Sequence, residues 1–234
     1  MHLYPSEGWL DEYTRLLDES DALDDLSSGV GLDFAGSIRL AIEELPLAET
    51  TVGDLPDRAL EGVPEEVARG LADLPLTELP ETVDGHAREG LPEEVRDLLA
   101  QIETNVVDDA LHVLLEIDGG DCADAEVLEH PGRRNPDFTV RGSYRTWREV
   151  VDGRPSASAL LTGDLRVEGN QLEWLQYVTM FQLLGDVASE VETTHLFETE
   201  PQSTGSVLVD EAVRPPAAIH RVVHRQAVRT LSFL

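Results

Sequence analysis

The stretch Asn135-Pro136-Asp137-Phe138-Thr139-Val140-Arg141-Gly142-Ser143-Tyr144-Arg145-Thr146-Trp147-Arg148-Glu149-Val150-Val151-Asp152-Gly153 reads as one strand running directly into one helix. Phe138 and Val140 alternate with Thr139 and Arg141, the period-two pattern of a half-buried strand over Asp137 to Gly142. Ser143 is a favoured N-cap, Tyr144, Trp147, Val150 and Val151 follow at helical spacing, and Gly153 supplies the stop. Pro155 and Ser156 open a second short helix through Leu160 and Leu161 to Gly163. Leu165 and Val167 then alternate with Arg166 and Glu168, Gly169-Asn170 closes that strand, and the spacing predicts a long helix from Gln171 to about Glu192.

Working outward, Leu111 to Ile117 is an apolar strand, Asp118-Gly119-Gly120-Asp121 is turn chemistry, and Cys122 to Leu128 is the hairpin partner. His130 to Pro136 is a loop. Further upstream, Ile38, Leu40 and Ile42 alternate with Arg39, Ala41 and Glu43 as another strand, after breaks at Gly29, Gly31 and Gly36. Pro5-Ser6 starts an N-terminal helix whose Trp9, Tyr13, Leu16 and Leu17 share a face. Between Phe34 and Phe138 there is no aromatic residue, so the large buried areas join the first ~45 residues to residues 108–198.

Residues 46–107 therefore read as a helical insertion. Within it Glu61-Gly62-Val63-Pro64-Glu65-Glu66-Val67 recurs as Glu89-Gly90-Leu91-Pro92-Glu93-Glu94-Val95. Each copy places proline and two glutamates in the first turn of a helix, where the missing N–H and the dipole favour them. Two copies are too few for a solenoid. A helical hairpin or lid and a solvated spacer both fit. Residues 199–234 are a linker and a tail. From Arg214 onward the tail has four arginines, two histidines and no acid, so it carries +4 and residues 1–213 carry −34. A basic helix docking on the acidic body or on anionic lipid, and an extension without a role, both remain open.

Composition bounds the function. There are 234 residues, 47 acidic against 17 basic, for a net charge of −30. Such a body repels phosphates, which excludes nucleic acid as a partner and allows at most transient membrane contact. All basic residues are arginine, and lysine is absent. This suits a cytoplasm at molar salt, where the Debye length is ~3 Å and self-repulsion is screened. We read a halophilic, archaeal-type, cytoplasmic protein, with an ordinary acidic protein from GC-rich coding as the other reading. Met1-His2-Leu3-Tyr4-Pro5 resembles neither a signal nor a transit peptide, and no apolar run reaches the ~18–20 residues of a membrane span. One cysteine, Cys122, rules out an intramolecular disulfide.

No catalytic constellation stands out. Gly-x-Ser-x-Gly, Walker, Gly-x-Gly-x-x-Gly and His-Glu-x-x-His motifs are all missing from the sequence. His220 and His224 have metal-ligand spacing but no acidic or cysteine neighbour, so no metal, cofactor or catalytic residue is expected. The informative feature is the last long helix. Leu172, Trp174, Leu175, Tyr177, Val178, Met180, Phe181, Leu183, Leu184, Val187, Ala188 and Val191 cover more than half its circumference, beyond the ~100° arc of a surface helix. Its second face must meet a partner subunit, a thicker core or a ligand cavity.

The Asn135–Gly153 passage, the following Gly163-Asp164-Leu165-Arg166-Val167-Glu168-Gly169 and the apolar helix after Asn170 together resemble the sterol carrier protein type-two family. The Ile117–Cys122 hairpin and the Pro5-Ser6-Glu7-Gly8-Trp9-Leu10 opening with Tyr13 are also similar to that family. The resemblance covers residues 5–45 and 108–198, and the insertion 46–107 and the tail depart from it. It implies an α+β fold: a mostly antiparallel sheet of about five strands, with helices packed on one face around an apolar cavity. It also implies a non-enzymatic lipid carrier. By position, Phe138, Trp147, Leu160, Leu161, Leu165, Val167, Trp174, Tyr177, Val178, Phe181 and Leu184 would line the cavity. The guest would be a fatty acyl, isoprenoid or quinone-type lipid, bound because each buried CH₂ contributes ~0.8 kcal/mol. The competing expectation is a scaffold of the same fold acting through the acidic insertion. Oligomeric state is not legible.

Overall fold

A computed structural model describes residues 2–20, 34–83, 88, 91–118 and 121–197. The breaks at Gly29 and Gly31, the Gly119-Gly120 turn, His86 and the tail with His220 and His224 lie outside the described residues.

The N-terminal helix forms where its spacing puts it. Helix α1 spans Glu7–Asp18, and Ser6 caps it by accepting from the Trp9 N–H at 3.2 Å. It buries Trp9, Leu10, Tyr13 and Leu17. Ahead of it, strand β1 (His2–Tyr4) pairs in parallel with strand β8 (Thr193–His195) as a separate two-stranded sheet. Three-residue strands are too short to show alternation, so no sequence pattern announces this pairing.

The main sheet contains β2 (Ala35–Glu43), β3 (Val106–Val107), β4 (Ala110–Asp118), β5 (Asp121–Val127), β6 (Phe138–Ser143) and β7 (Arg166–Gly169). Its order is β3-β4-β2-β6-β7, with β5 also beside β4. Four of the five pairings are antiparallel, and β2–β6 is parallel. The fold is thus α+β with a mostly antiparallel sheet, and the strand count is six rather than about five. On the core face, register sets Ile42 opposite Leu111, Leu40 opposite Val113, and Val113 opposite Val127. The other face carries Arg39, Glu43, His112 and Arg141. There Arg141 pairs with Glu43 and with Glu168, while Arg39 donates to the Pro131 carbonyl at 2.8 Å.

In the extension, Val52–Asp54 and Asp57–Leu60 are 3-10 turns, followed by α2 (Glu65–Leu71), α3 (Leu79–Thr82) and α4 (Glu93–Thr104). The repeated Gly-x-Pro-Glu-Glu does start two helices, but Pro64 and Pro92 stand at the cap position, one residue before the first turn. Ala59, Leu79, Val95, Leu98 and Leu99 are buried here and belong to the same apolar cluster as the main core.

Helix α5 (Tyr144–Val151) is capped by Ser143, which accepts from the Thr146 N–H, and α6 (Ser156–Thr162) ends at left-handed Gly163. The long helix expected from Gln171 to about Glu192 is two pieces, α7 (Gln171–Trp174) and α8 (Val178–Ala188). The ladder tightens between them, as the N–H of Gln176 goes back to Glu173 and that of Tyr177 to Trp174. A single straight rod would have had to bury more than half its circumference at once; the break divides that surface and leaves Leu175 68% exposed. Gly185 lets α8 approach α5 and α6 closely: a Cβ there would come within 2.9 Å of the Ser156 side chain.

Candidate functional site

Between the core face of the sheet and the layer made by α1, α5 and α8 lies an apolar hollow. Its volume is about 50 Å³. Leu40, Ile42, Leu111, Val113 and Val127 form the floor. Trp9, Tyr13, Trp147, Val150, Val151, Phe181, Leu184 and Ala188 form the roof, and Tyr4-Pro5-Ser6 forms one end.

The strand register explains the floor, since the apolar members of β2, β4 and β5 sit directly opposite one another. Ring packing fixes the roof. Tyr4 meets Trp9 edge-on at 4.8 Å, and Trp9 stacks on Tyr13 at 5.2 Å. Polar atoms on the wall are largely committed to the protein. The Tyr13 hydroxyl donates to the Leu184 carbonyl at 3.1 Å, and the Ser156 hydroxyl to the Phe181 carbonyl at 3.0 Å. The Trp147 indole N–H goes to the Ala41 carbonyl at 2.9 Å, and that of Trp9 to the Thr193 hydroxyl at 2.8 Å. Burial, foremost, holds the Tyr13 hydroxyl far above the ordinary tyrosine range, so it stays neutral. The Cys122 thiol is likewise pushed up to about 11, first by burial and then by Asp18 and Asp124, which makes it a poor nucleophile.

Of the eleven residues expected at a cavity, Trp147, Phe181 and Leu184 line this hollow. Phe138, Trp174 and Tyr177 instead pack with Phe34 as a filled aromatic cluster, with ring centroids 5.1 Å apart for Phe138–Trp174 and 4.8 Å for Phe34–Tyr177. Leu165 is buried close against Gly142. Leu160, Val167 and Val178 are half-buried at the edge of the core. Leu161 is 89% exposed and cannot line an interior: α6 turns Ser156 and Ala159 inward at i, i+3, which puts residue 161 on the opposite side. The floor strands and the α1 residues are absent from the expected lining, although their alternation and spacing mark them as core.

A second, smaller apolar hollow of about 30 Å³ lies inside the extension, among Leu55, Ala59, Leu71, Leu79, Val95 and Leu98. Among the described residues, no group of three or more His, Cys, Asp or Glu is placed to hold a metal ion. No described helix is long and apolar enough to cross a membrane.

The model of the SCP-2 sterol transfer family matches residues 82–182, a stretch that begins inside the extension and includes α4. No curated protein matches the chain. Several solved structures are similar in outline. A crystal structure of sterol carrier protein 2 is 22% identical, with 80% of this chain and 97% of that chain covered and a TM-score of 0.46. The solution structure of a conserved hypothetical protein from Thermus thermophilus is 21% identical, covering 81% and 90%, with a TM-score of 0.46. Apo sterol carrier protein 2 from Yarrowia lipolytica is 10% identical, covering 77% and 88%, with a TM-score of 0.34. Residues 82–182, then, are similar to the SCP-2 sterol transfer family.

Proposed function

We propose that the protein is a non-enzymatic carrier of a long apolar lipid, held between the sheet and the α1–α5–α8 layer. The observation that carries this reading is the hollow itself: an almost wholly apolar space beneath the last long helix. Such a space stays dry and gains from an apolar guest. Its present size is about a third of the ~150 Å³ that accepts benzene, so an acyl or isoprenoid chain enters only as the layers part. Displacement of helices against a fixed sheet supplies that room, and each CH₂ then buried contributes ~0.8 kcal/mol.

In this reading residues 5–45 and 108–198 make the lipid-binding unit, 46–107 is its helical extension, and 199–234 is an appended basic tail. The acidic, lysine-free composition supports a cytoplasmic protein of a high-salt host, meeting membranes only transiently. Native mass spectrometry of the full chain, purified gently in molar salt, tests the proposal. A co-purified apolar molecule, or uptake of added lipid, is the expected result. A protein that arrives empty and takes up no lipid would instead favour a scaffold acting through the extension.

A further inference from the structure

The face of the sheet turned away from the hollow holds a guanidinium without a carboxylate partner. Register sets His112 and Arg141 on either side of Ala41, and Arg39 and Glu43 stand two residues before and after it on β2. All four side chains therefore leave the same face around one small residue, and Ala41 beneath them is 1% exposed. The carboxylates of this face are taken. Glu43 accepts from the Arg141 Nε–H at 2.7 Å, Glu168 accepts from another Arg141 N–H at 2.8 Å, and Glu116 and Glu126 both pair with Arg134. Arg39 is half-buried and, among the described residues, bonds only to a neutral group, the Pro131 carbonyl at 2.8 Å.

Two ring and guanidinium nitrogens here are buried and unpartnered among the described residues: Arg39 Nε, which always carries a proton, and His112 Nδ1. Arg39 and His112 are diagonal neighbours across β2 and β4, a spacing of roughly 7–8 Å that long side chains close. The charge of Arg39 is felt at His112, where it adds to burial in lowering the imidazole pKa. A buried charged donor left unpaired costs more than a neutral one, and a water would satisfy the N–H without supplying the opposite charge. A ligand bearing a carboxylate or phosphate is too bulky, because neither nitrogen has surface open to solvent. A single-atom anion meets both needs, since it carries the charge and accepts from both N–H groups at once. Room for it comes from the segment above, where residues 132–135 lie exposed over the sheet and can lift at little cost. The net charge of −30 does not forbid it, since at molar salt the Debye length is ~3 Å and contacts outweigh the distant field.

We propose that the outer face of the sheet binds a halide ion of the chloride type between Arg39 Nε and His112 Nδ1, above Ala41. The anion balances Arg39, which grips the loop between β5 and β6 at Pro131, and so holds that loop against the sheet. The site lies across the sheet from the hollow and is independent of the carrier reading.

The test follows thermal unfolding of the full chain at about pH 8, where a histidine with a value of ~6.5 or below is neutral and donates as its Nδ1–H tautomer. Sodium is held constant at molar concentration while chloride replaces gluconate, which is too large to be enclosed. Relative to Arg39→Gln, which reports the general salt effect, the midpoint of the natural chain should rise by at least about 2 °C and saturate. His112→Phe keeps a ring but removes the donor, and should raise the half-saturating chloride concentration at least about tenfold. Crystals of the natural chain grown in sodium bromide need no variant: an anomalous peak in contact with Arg39 Nε and His112 Nδ1 is expected. Water at that position without anomalous signal, or the same response to chloride in the natural chain and Arg39→Gln, would overturn the proposal. A bromide peak in a chain whose midpoint ignores chloride would mean an adventitious ion only, and would overturn it too.

Discussion

The space between sheet and helices is finished differently at its two ends. On the β6 side, Phe34, Phe138, Trp174 and Tyr177 meet ring to ring at centroid distances of 4.8–6.2 Å. On the β2–β4–β5 side, Tyr4, Trp9, Tyr13 and Trp147 bring as many rings, yet a hollow remains. The materials are alike, and the floor makes the difference. β6 offers large Phe138 to the roof, whereas β2, β4 and β5 offer Leu40, Ile42, Leu111, Val113 and Val127, which stop short of it. Phe181 joins the two ends, touching Trp174 at 5.2 Å and Trp147 at 6.4 Å and lining the hollow. One end is filled by rings, and the other keeps a hollow.

Truncation at the closed end should sharpen this contrast most. Phe138→Ala removes a ring that contacts Phe34, Trp174 and Tyr177, and should cost about 3–5 kcal/mol of stability by denaturant unfolding in high salt. The fraction that stays folded should bind lipid as the natural chain does. Weakened binding per folded molecule would mean that the two ends are not separate.

Filling the open end should do the reverse. Ala188→Leu projects three more carbons from α8 into the hollow, and should lower lipid affinity by at least about tenfold. Its stability should change by no more than about 1–2 kcal/mol, because the added methylenes occupy space already empty. If lipid affinity measured by tryptophan quenching were unchanged, the guest would sit elsewhere.

This contrast is only half legible in the sequence. The strand at Phe138, the Ser143 cap, the helix of Tyr144 and Trp147, and the stop at Gly163 follow from local spacing, and all of them form. What spacing cannot say is whether a buried ring faces another ring or a void. Trp174 and Tyr177 plug the interior because Phe34, more than a hundred residues away in the chain, comes to meet them through β2 and its parallel pairing with β6. Leu40, Leu111 and Val127 reach the hollow through cross-strand register, which no local pattern carries. The break before Val178 is hidden for a related reason: helical periodicity runs through Leu175 undisturbed, while the rings that Trp174 and Tyr177 pack against, Phe34 and Phe138, come from distant parts of the chain. The place of Tyr4 at one end of the hollow is out of reach too, because β1 has just three residues and its partner strand lies near residue 194.

The smallest effect probes the hollow's floor from behind. His112 sits between Leu111 and Val113, opposite Ala41, on the charged face of β4. Burial holds its pKa below the usual histidine value, Arg39 and Arg141 lower it further, and Glu43 partly offsets them. The unfolded chain therefore takes up this proton more readily than the folded one, so the native state's advantage is present above ~6.5 and is lost as pH falls through the depressed folded value. Buried Nδ1 has no described partner to compensate the added charge. Lowering the pH from about 7 toward about 5.5 should thus depress the thermal midpoint of the natural chain more steeply than that of His112→Asn. If the lever acts through β4, lipid bound over Leu111 and Val113 should flatten the difference, because a filled hollow braces the strand whose other face takes the charge. Equal slopes for the two proteins without lipid would show instead that the floor of the hollow is indifferent to the charge behind it, and that its capacity to yield resides in the helices alone.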